Sequence, residues 1–296
     1  MFLLERKLSA FLMLLFLSMA VVQCGHSDLE TQLIEENSGE RASLPPEVKD
    51  AIRLGKDEVE VPIHISDSNK EGLSKPSSFS RHYIIDYIEE EENSTLVLEK
   101  PKPPAPSLDA ATCGSSTAFS VKNFKWQTVP ILYSINTKNL TEGVDSVAAK
   151  AAIVNAFKSW DAEVSGLFVE AKEGETPQLT VRWAPIDGKN RVLALAENTF
   201  NNKTKVIISS RMTFDTGDIW KVFPSLDCKK QGSEFDIENV ASHEVGHVLG
   251  ILHPPNTNKN KSLTLYALTG AGETLKRTLD KGDKTGVAKL YPKKKK

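Results

Sequence analysis

The chain has 296 residues, 40% of them hydrophobic and 26% charged, with a formal net charge of -2 at pH 7. That length permits one good core with a smaller annex. The near-neutral balance gives no reason to expect a nucleic-acid partner, and three cysteines are too few for a disulfide scaffold.

The opening residues read as an export signal over residues 1–24. Arg6 and Lys7 form a basic flank, Leu8 to Val22 an apolar run, and Ser18-Met19-Ala20 a small-residue cleavage site. The run is too short for a comfortable membrane span, and no later stretch is long or apolar enough to replace it. The mature chain is therefore expected outside the cytoplasm, either secreted or held at the cell surface by a lipid on Cys24. Gln23 counts against the lipid, because such a site wants a small residue before the cysteine. No other membrane contact is expected.

Residues 25–109 are acidic and poorly patterned, with a charge run from Glu89 to Glu92 and a stiff spacer from Pro101 to Pro106. They read as a weakly structured pro- or stalk segment with a Pro-rich linker. Within it Ser80 to Ile88, with Tyr83, Ile84, Ile85, Tyr87 and Ile88, fits a strand or a short helix.

After Cys113 the texture changes. Trp126 precedes Val129 to Ile135, an alternating run that predicts a strand. Val147, Ala151, Val154, Phe157 and Trp160 recur at helical steps and predict a helix from Val147 to Val164. Strands are expected over Gln178 to Trp183, Val192 to Ala196 and Lys205 to Ser210. Ser233-Glu234-Phe235-Asp236 has the form of a capping box, which predicts a second helix from Glu234 to Leu249. Together these elements make residues 110–292 an α+β domain, followed by a solvated lysine tail at 293–296.

The second helix carries the chemistry. His243-Glu244-Val245-Gly246-His247-Val248-Leu249-Gly250-Ile251-Leu252-His253 contains half of the six histidines. His243 and His247 stand one turn apart on one face, Gly250 suits the left-handed conformation that ends a helix, and His253 can then swing back as a third ligand. Pro254 and Pro255 keep the helix from resuming. A lone helical histidine is usually a surface or satisfied core residue, but three in this register with a glutamate beside the first predict one bound zinc ion. Three nitrogen ligands and a fourth position open to water describe a catalytic zinc. The ion would activate the water, with Glu244 as general base.

This eleven-residue stretch resembles the extended zinc motif of metzincin metallopeptidases, and its surroundings are most similar to the matrixin group. The resemblance covers about residues 120 to 292. It is carried also by Trp126, the Trp160 helix and the closing Gly286-Val287-Ala288-Lys289-Leu290-Tyr291-Pro292. It implies a metzincin-like catalytic domain, a twisted mixed sheet with an active-site helix and a C-terminal helix. It further implies a secreted zinc endopeptidase, with His243, His247 and His253 on zinc and Glu244 as base. Leu193-Ala194-Leu195-Ala196 would be the strand edge that pairs with an extended protein or peptide substrate. The expected state is a monomer.

The chain departs from that pattern in several places. The family's methionine turn beneath the metal is best matched by Thr264-Leu265-Tyr266-Ala267, with Leu265 in the methionine's place; this nearly conserves volume and neither side chain ligates. Tyr266 and Leu268 would border the pocket for the side chain after the cleaved bond, or simply be core. Of the paired aspartates that open the family's last helix, Asp283 remains, preceded by Gly282. No second zinc and no calcium are expected. Cys113 and Cys228 would close a loop of over a hundred residues, worth up to about 4.7 kcal/mol in the chain-entropy model. The alternatives are Cys113 as a thiolate plugging the metal, although the family's flanking pattern around such a cysteine is absent, and unpaired thiols. Two further functions stay open: a catalytically weak or inactive zinc-containing binding protein of the same fold, and an interaction module residing in the acidic region.

Overall fold

The structure is a computed structural model that describes residues 28–38, 43–66, 74–89 and 115–292. The expected signal segment with Cys24, the Pro-rich linker, Cys113 and the lysine tail lie outside the described residues.

The described elements run α1 (Asp28–Ser38), α2 (Pro46–Arg53), β1 (Glu58–Ser66), β2 (Ser74–Ile88), β3 (Ser120–Val121), β4 (Lys125–Trp126), β5 (Ile131–Asn136) and α3 (Ser146–Asp161). They continue with β6 (Phe168–Glu170), β7 (Leu179–Ala184), β8 (Val192–Asn201), β9 (Val206–Asp215), β10 (Trp220–Lys221) and β11 (Phe235–Asp236). The last are α4 (Ile237–Val248), β12 (Ile251–Leu252), β13 (Leu268–Thr269) and α5 (Lys281–Leu290). The main sheet has the order β1-β2-β8-β9-β7-β5-β6, with β13 alongside β2 and β4 alongside β9. Strands β9, β7, β5 and β6 are parallel, while β8 runs antiparallel to β9. Mixed sheet and packed helices make the α+β fold that the sequence predicts.

The acidic N-terminal region departs from its reading as a weakly structured stalk. Its described residues form two helices and the β1–β2 hairpin, and β2 joins the main sheet by pairing antiparallel with β8. Alternation explains how a short, charged stretch can do this. Tyr83 and Ile85 pack with Val48, Ala51 and Ile52 of α2 and with Val192 and Leu195 of β8 in a small second core. His82, Ile84, Asp86 and Ile88 turn to the opposite face. A charge network fastens the layer: Arg81 reaches the exposed Glu36 of α1 (2.7 Å) and the buried Glu197 of β8 (3.2 Å).

Helix α3 begins at Asp145, whose side chain accepts from the Ala148 N–H (2.7 Å). Its buried face is Ala149, Ala152, Ile153, Ala156, Phe157 and Trp160. The face drawn from sequence was rotated, since Val147 is 74% exposed; Phe157 and Trp160 set the true one, and small alanines let α3 lie close to α4. Helix α4 is capped by Asp236, which accepts from the Asn239 N–H (2.8 Å), and not by Ser233. Arg277 grips Asp236 through two bonds (2.6 and 2.7 Å), and Phe235–Asp236 pairs with β10, so these two residues stay extended.

A buried acid after β9 provides a pH test of the fold. Asp218 is 1% exposed, one of its carboxylate oxygens has no partner, and burial beside Asp215 and Asp187 pushes it up to about 6. A raised carboxyl favours the folded state at low pH, so its contribution is lost as pH climbs from about 4 through 6. In thermal melts across that window, Asp218→Asn is expected to flatten the loss by about 1 kcal/mol after solvent screening. An unchanged pH profile would refute the assignment.

Candidate metal centre and cleft

Four buried side-chain hydrogen bonds hold α4 in place. Trp160 of α3 donates its indole N–H to the Ser242 carbonyl (2.8 Å), and Trp126 donates to that of Val248 (2.8 Å). Asn198 of β8 donates to the His247 carbonyl (2.8 Å), and Tyr291 to that of Leu249 (2.9 Å). The last turns of the helix therefore have partners on three other elements, which fixes the direction of its histidines. The closing Tyr291 thus serves the site directly, because it also accepts from the Trp126 N–H (3.1 Å).

His243, His247 and His253 come together as their spacing predicts. Gly250, at φ +93°, ends the helix, and Ile251–Leu252 pairs with β3 to return the chain. Their Nε2 atoms lie 2.9 to 3.2 Å apart. His243 Nδ1–H donates to the Thr264 carbonyl and His247 Nδ1–H to that of Ile251 (2.7 Å). With Nδ1 as donor, each Nε2 presents a lone pair, and adjacent lone pairs at this distance repel unless a cation lies between them. The donor set is therefore one for a divalent metal.

A fourth group lies where the sequence reading placed an open position. Asp86 of β2 sets Oδ1 2.6 Å from His243 Nε2, 2.8 Å from His253 Nε2 and 3.6 Å from His247 Nε2. Together these four side chains could hold one ion. Asp57, just before β1, faces His253 Nδ1 at 3.6 Å. Burial pushes His243 down to about 3 and lowers His247 as well. Burial opposes the charge on His253 too, but Asp57 and Asp86 outweigh it and hold that ring up to about 9. Asp86 stays ionised despite its burial, through His243 and His247. Neither Asp86 nor Asp57 follows from the motif. The one signal in the sequence is an acid inside the apolar run Tyr83-Ile84-Ile85-Asp86-Tyr87-Ile88.

Glu244 is fully buried beside the cluster, where its carboxyl faces that of Asp86. Burial first, and then the charge of Asp86, raise its pKa well above the ordinary carboxylate range.

Leu265 packs against α4 at Gly246. A Cβ at Gly246 would come within 2.7 Å of a Leu265 methyl and 2.8 Å of the Trp160 ring, so glycine permits this close approach. The turn is fixed by the buried Asp283, which accepts from the Thr264 and Leu265 N–H groups (2.9 and 3.2 Å). Thr264 in turn receives His243, so Asp283 orients a histidine through one backbone segment. Asp283 also completes a capping box with Asp280 at the start of α5, a pairing legible as Asp-x-x-Asp.

The strand expected to be the substrate-pairing edge is not an edge among the described residues. Leu193, Ala194, Leu195 and Ala196 of β8 are all buried, and Ala194, Leu195 and Ala196 pair with Asp86, Ile85 and Ile84. On the other side of β2, Leu268 and Thr269 of β13 run parallel to Tyr87 and Ile88. Tyr266 is buried and donates its hydroxyl to Asn256 (2.6 Å). Beneath this wall the fully buried Lys276 ammonium donates to the carbonyls of Tyr266 (2.8 Å) and Leu268 (2.6 Å) and to the Thr269 hydroxyl (2.8 Å). Motif reasoning does not reach Lys276, because its partners come from the folded wall. Cys228 is disulfide-bonded.

Residues 125–292 match the family model for matrixin. Karilysin of Tannerella forsythia is 25% identical over 181 residues, which cover 58% of this chain and 34% of that protein. Metalloendoproteinase 1 of Glycine max is 29% identical over 150 residues, 48% of this chain and 45% of that protein. Neutrophil collagenase of Homo sapiens is 24% identical over 177 residues, 57% of this chain and 34% of that protein. The chain spans less than half the length of these relatives. With its histidine cluster, glutamate and mixed sheet in the arrangement described, the chain belongs to the matrixin family of metzincin-type zinc metalloendopeptidases.

Proposed function

We propose that this chain is an exported zinc endopeptidase whose cleft is closed by its own strand β2. The observation that carries this reading is the convergence of three histidine Nε2 atoms, two of them with lone pairs fixed by Nδ1–H bonds to backbone carbonyls, with the buried Glu244 carboxyl beside them. Zinc, held by His243, His247 and His253, would supply Lewis acidity toward the scissile carbonyl and the attacking water. Glu244 accepts the water's proton on a carboxylate oxygen and passes it to the leaving amine, and its burial keeps the carboxylate basic enough for the first transfer. The backbone of Ala194 to Ala196 on one side and of Leu268 and Thr269 on the other holds an extended peptide, as they hold β2 here, with Leu193 and Tyr266 next to them along the cleft. Leu265 supports the helix without ligating.

Residues 25–109 are then a pro-segment, with Asp86 in the position that the attacking water needs. The disulfide of Cys228 supports its pairing with Cys113 over a Cys113 plug. No helix among the described residues is long and apolar enough to cross a membrane; export by the leader, free or with a lipid on Cys24, is part of this proposal, as is a monomeric state.

The test is cleavage of a mixed peptide library by the full chain carrying Asp86→Ala, with zinc supplied. Adding Glu244→Gln is expected to lower the rate by about 10²- to 10⁴-fold, and a chelator is expected to abolish it. A folded, zinc-loaded Asp86→Ala chain that cuts nothing would refute the peptidase reading.

A further inference from the structure

We infer that the leaving-group end of the cleft contains a basic subsite, built on Lys261 and Lys230, that selects substrates with an acidic side chain there. This inference rests on the peptidase reading above. Strand β2 runs antiparallel to β8 and parallel to β13, so it fills the path of an extended peptide, and the residues after Asp86 trace one end of that path. Ile88 N–H donates to the Arg191 carbonyl (3.0 Å) and Glu89 N–H to that of Thr269 (3.1 Å), so the strand is still held on both sides at the third residue past the metal. There the Glu89 carboxylate meets the Lys261 ammonium at 2.7 Å.

The surroundings of Glu89 are a formed recess, not one chance pair. A cavity of about 140 Å³ is bordered by Glu89, Lys229, Lys230, Lys261, Tyr266 and Leu268. Lys230 Nζ and the second Glu89 oxygen flank Gly270, at 3.1 and 3.6 Å from where a Cβ would sit, so the missing side chain keeps the recess open. The acids at its rim are already engaged by backbone amides: Glu273 by Gly270 N–H (3.0 Å) and Asp227 by Lys229 N–H (3.0 Å). The sequence after Glu89 continues Glu90-Glu91-Glu92, a charge run opposite in sign to the three lysines. A substrate that displaces β2 inherits these contacts. The recess therefore discriminates by charge, and rim charges of this exposure act through steering and modest affinity.

The experiment uses the full chain with Asp86→Ala and a peptide series in which one glutamate, or one lysine, is walked through the four residues after the cleaved bond. One position is expected to show about a fivefold higher kcat/KM for glutamate than for lysine, with the ratio shrinking at high salt and reversing in Lys261→Glu. Equal rates at every position would overturn the proposal while leaving the peptidase reading intact. A readout independent of turnover is amide hydrogen exchange of Ile88 and Glu89 in the otherwise wild-type chain. Lys261→Glu is expected to speed it severalfold, and the control Lys284→Glu, whose lysine pairs with Glu163 elsewhere, is expected to leave it unchanged. Unchanged exchange in Lys261→Glu would also overturn the proposal, and peptides left uncut throughout would refute the peptidase reading while exchange still decides whether Lys261 holds the acid.

Discussion

Replacing Asp86 by alanine in the full chain is expected to raise peptide hydrolysis at least tenfold over the unaltered chain. Asp86 brings β2 onto the histidine cluster, where its Oδ1 lies within hydrogen-bond distance of two Nε2 atoms. A carboxylate bound there competes with both water and the scissile carbonyl for the same position. Removing it lowers the free energy needed to expose the metal, and every 1.4 kcal/mol is a factor of ten in the open population. Strand β2 would remain paired to β1 and β8 through its backbone, so the gain stops short of full opening. Steady-state rates of the two chains on one peptide decide the matter. Equal, measurable rates would mean that Asp86 adds nothing to the closure that the backbone pairing of β2 provides.

The second large effect is expected at Gly250, where alanine should destabilise the protein by about 3 kcal/mol and weaken zinc binding by about 10- to 100-fold. At φ +93° any side chain is strained, and here a Cβ would also run into the Phe124 carbonyl oxygen. The chain has no room to yield. Residues 251–252 pair with β3, Ile251 receives the His247 Nδ1–H, and His253 follows directly. A shift at 250 therefore disturbs two ligands together. Gly174→Ala is the matched control, with φ +84° and nothing within 4 Å of the added carbon, so that only the backbone strain remains. Thermal unfolding and zinc titration of the two variants separate the effects; similar losses in both would refute the role given to the Phe124 contact.

The histidine cluster was legible because its parts are local. His243, Glu244, His247, Gly250 and His253 lie within eleven residues. Helix geometry and one left-handed glycine suffice to bring them together. The parallel strands were legible from apolar runs, though β9 extends five residues past the predicted end at Ser210 because β7 and β8 pair with it on both sides. The N-cap of α4 was misread at Ser233 because nothing in the local pattern reports Arg277, which holds Asp236 extended from forty-one residues away.

The sequence by itself determined the grouping of the three histidines, the glutamate beside them and the α+β character, since each depends on a period or a spacing along one segment. Only the tertiary structure decided what faces them. Asp86 reaches His243 across 157 residues, and Asp57, Asp283 and Lys276 act through elements that are distant in the chain or held by carbonyls of a folded wall. The physical reason is that a strand adds to a sheet edge through its backbone, which every sequence possesses. Pairing of β2 with β8 is therefore silent in composition and pattern, until the hairpin, the small core under α2 and the Arg81–Glu197 pair make that one register the most stable.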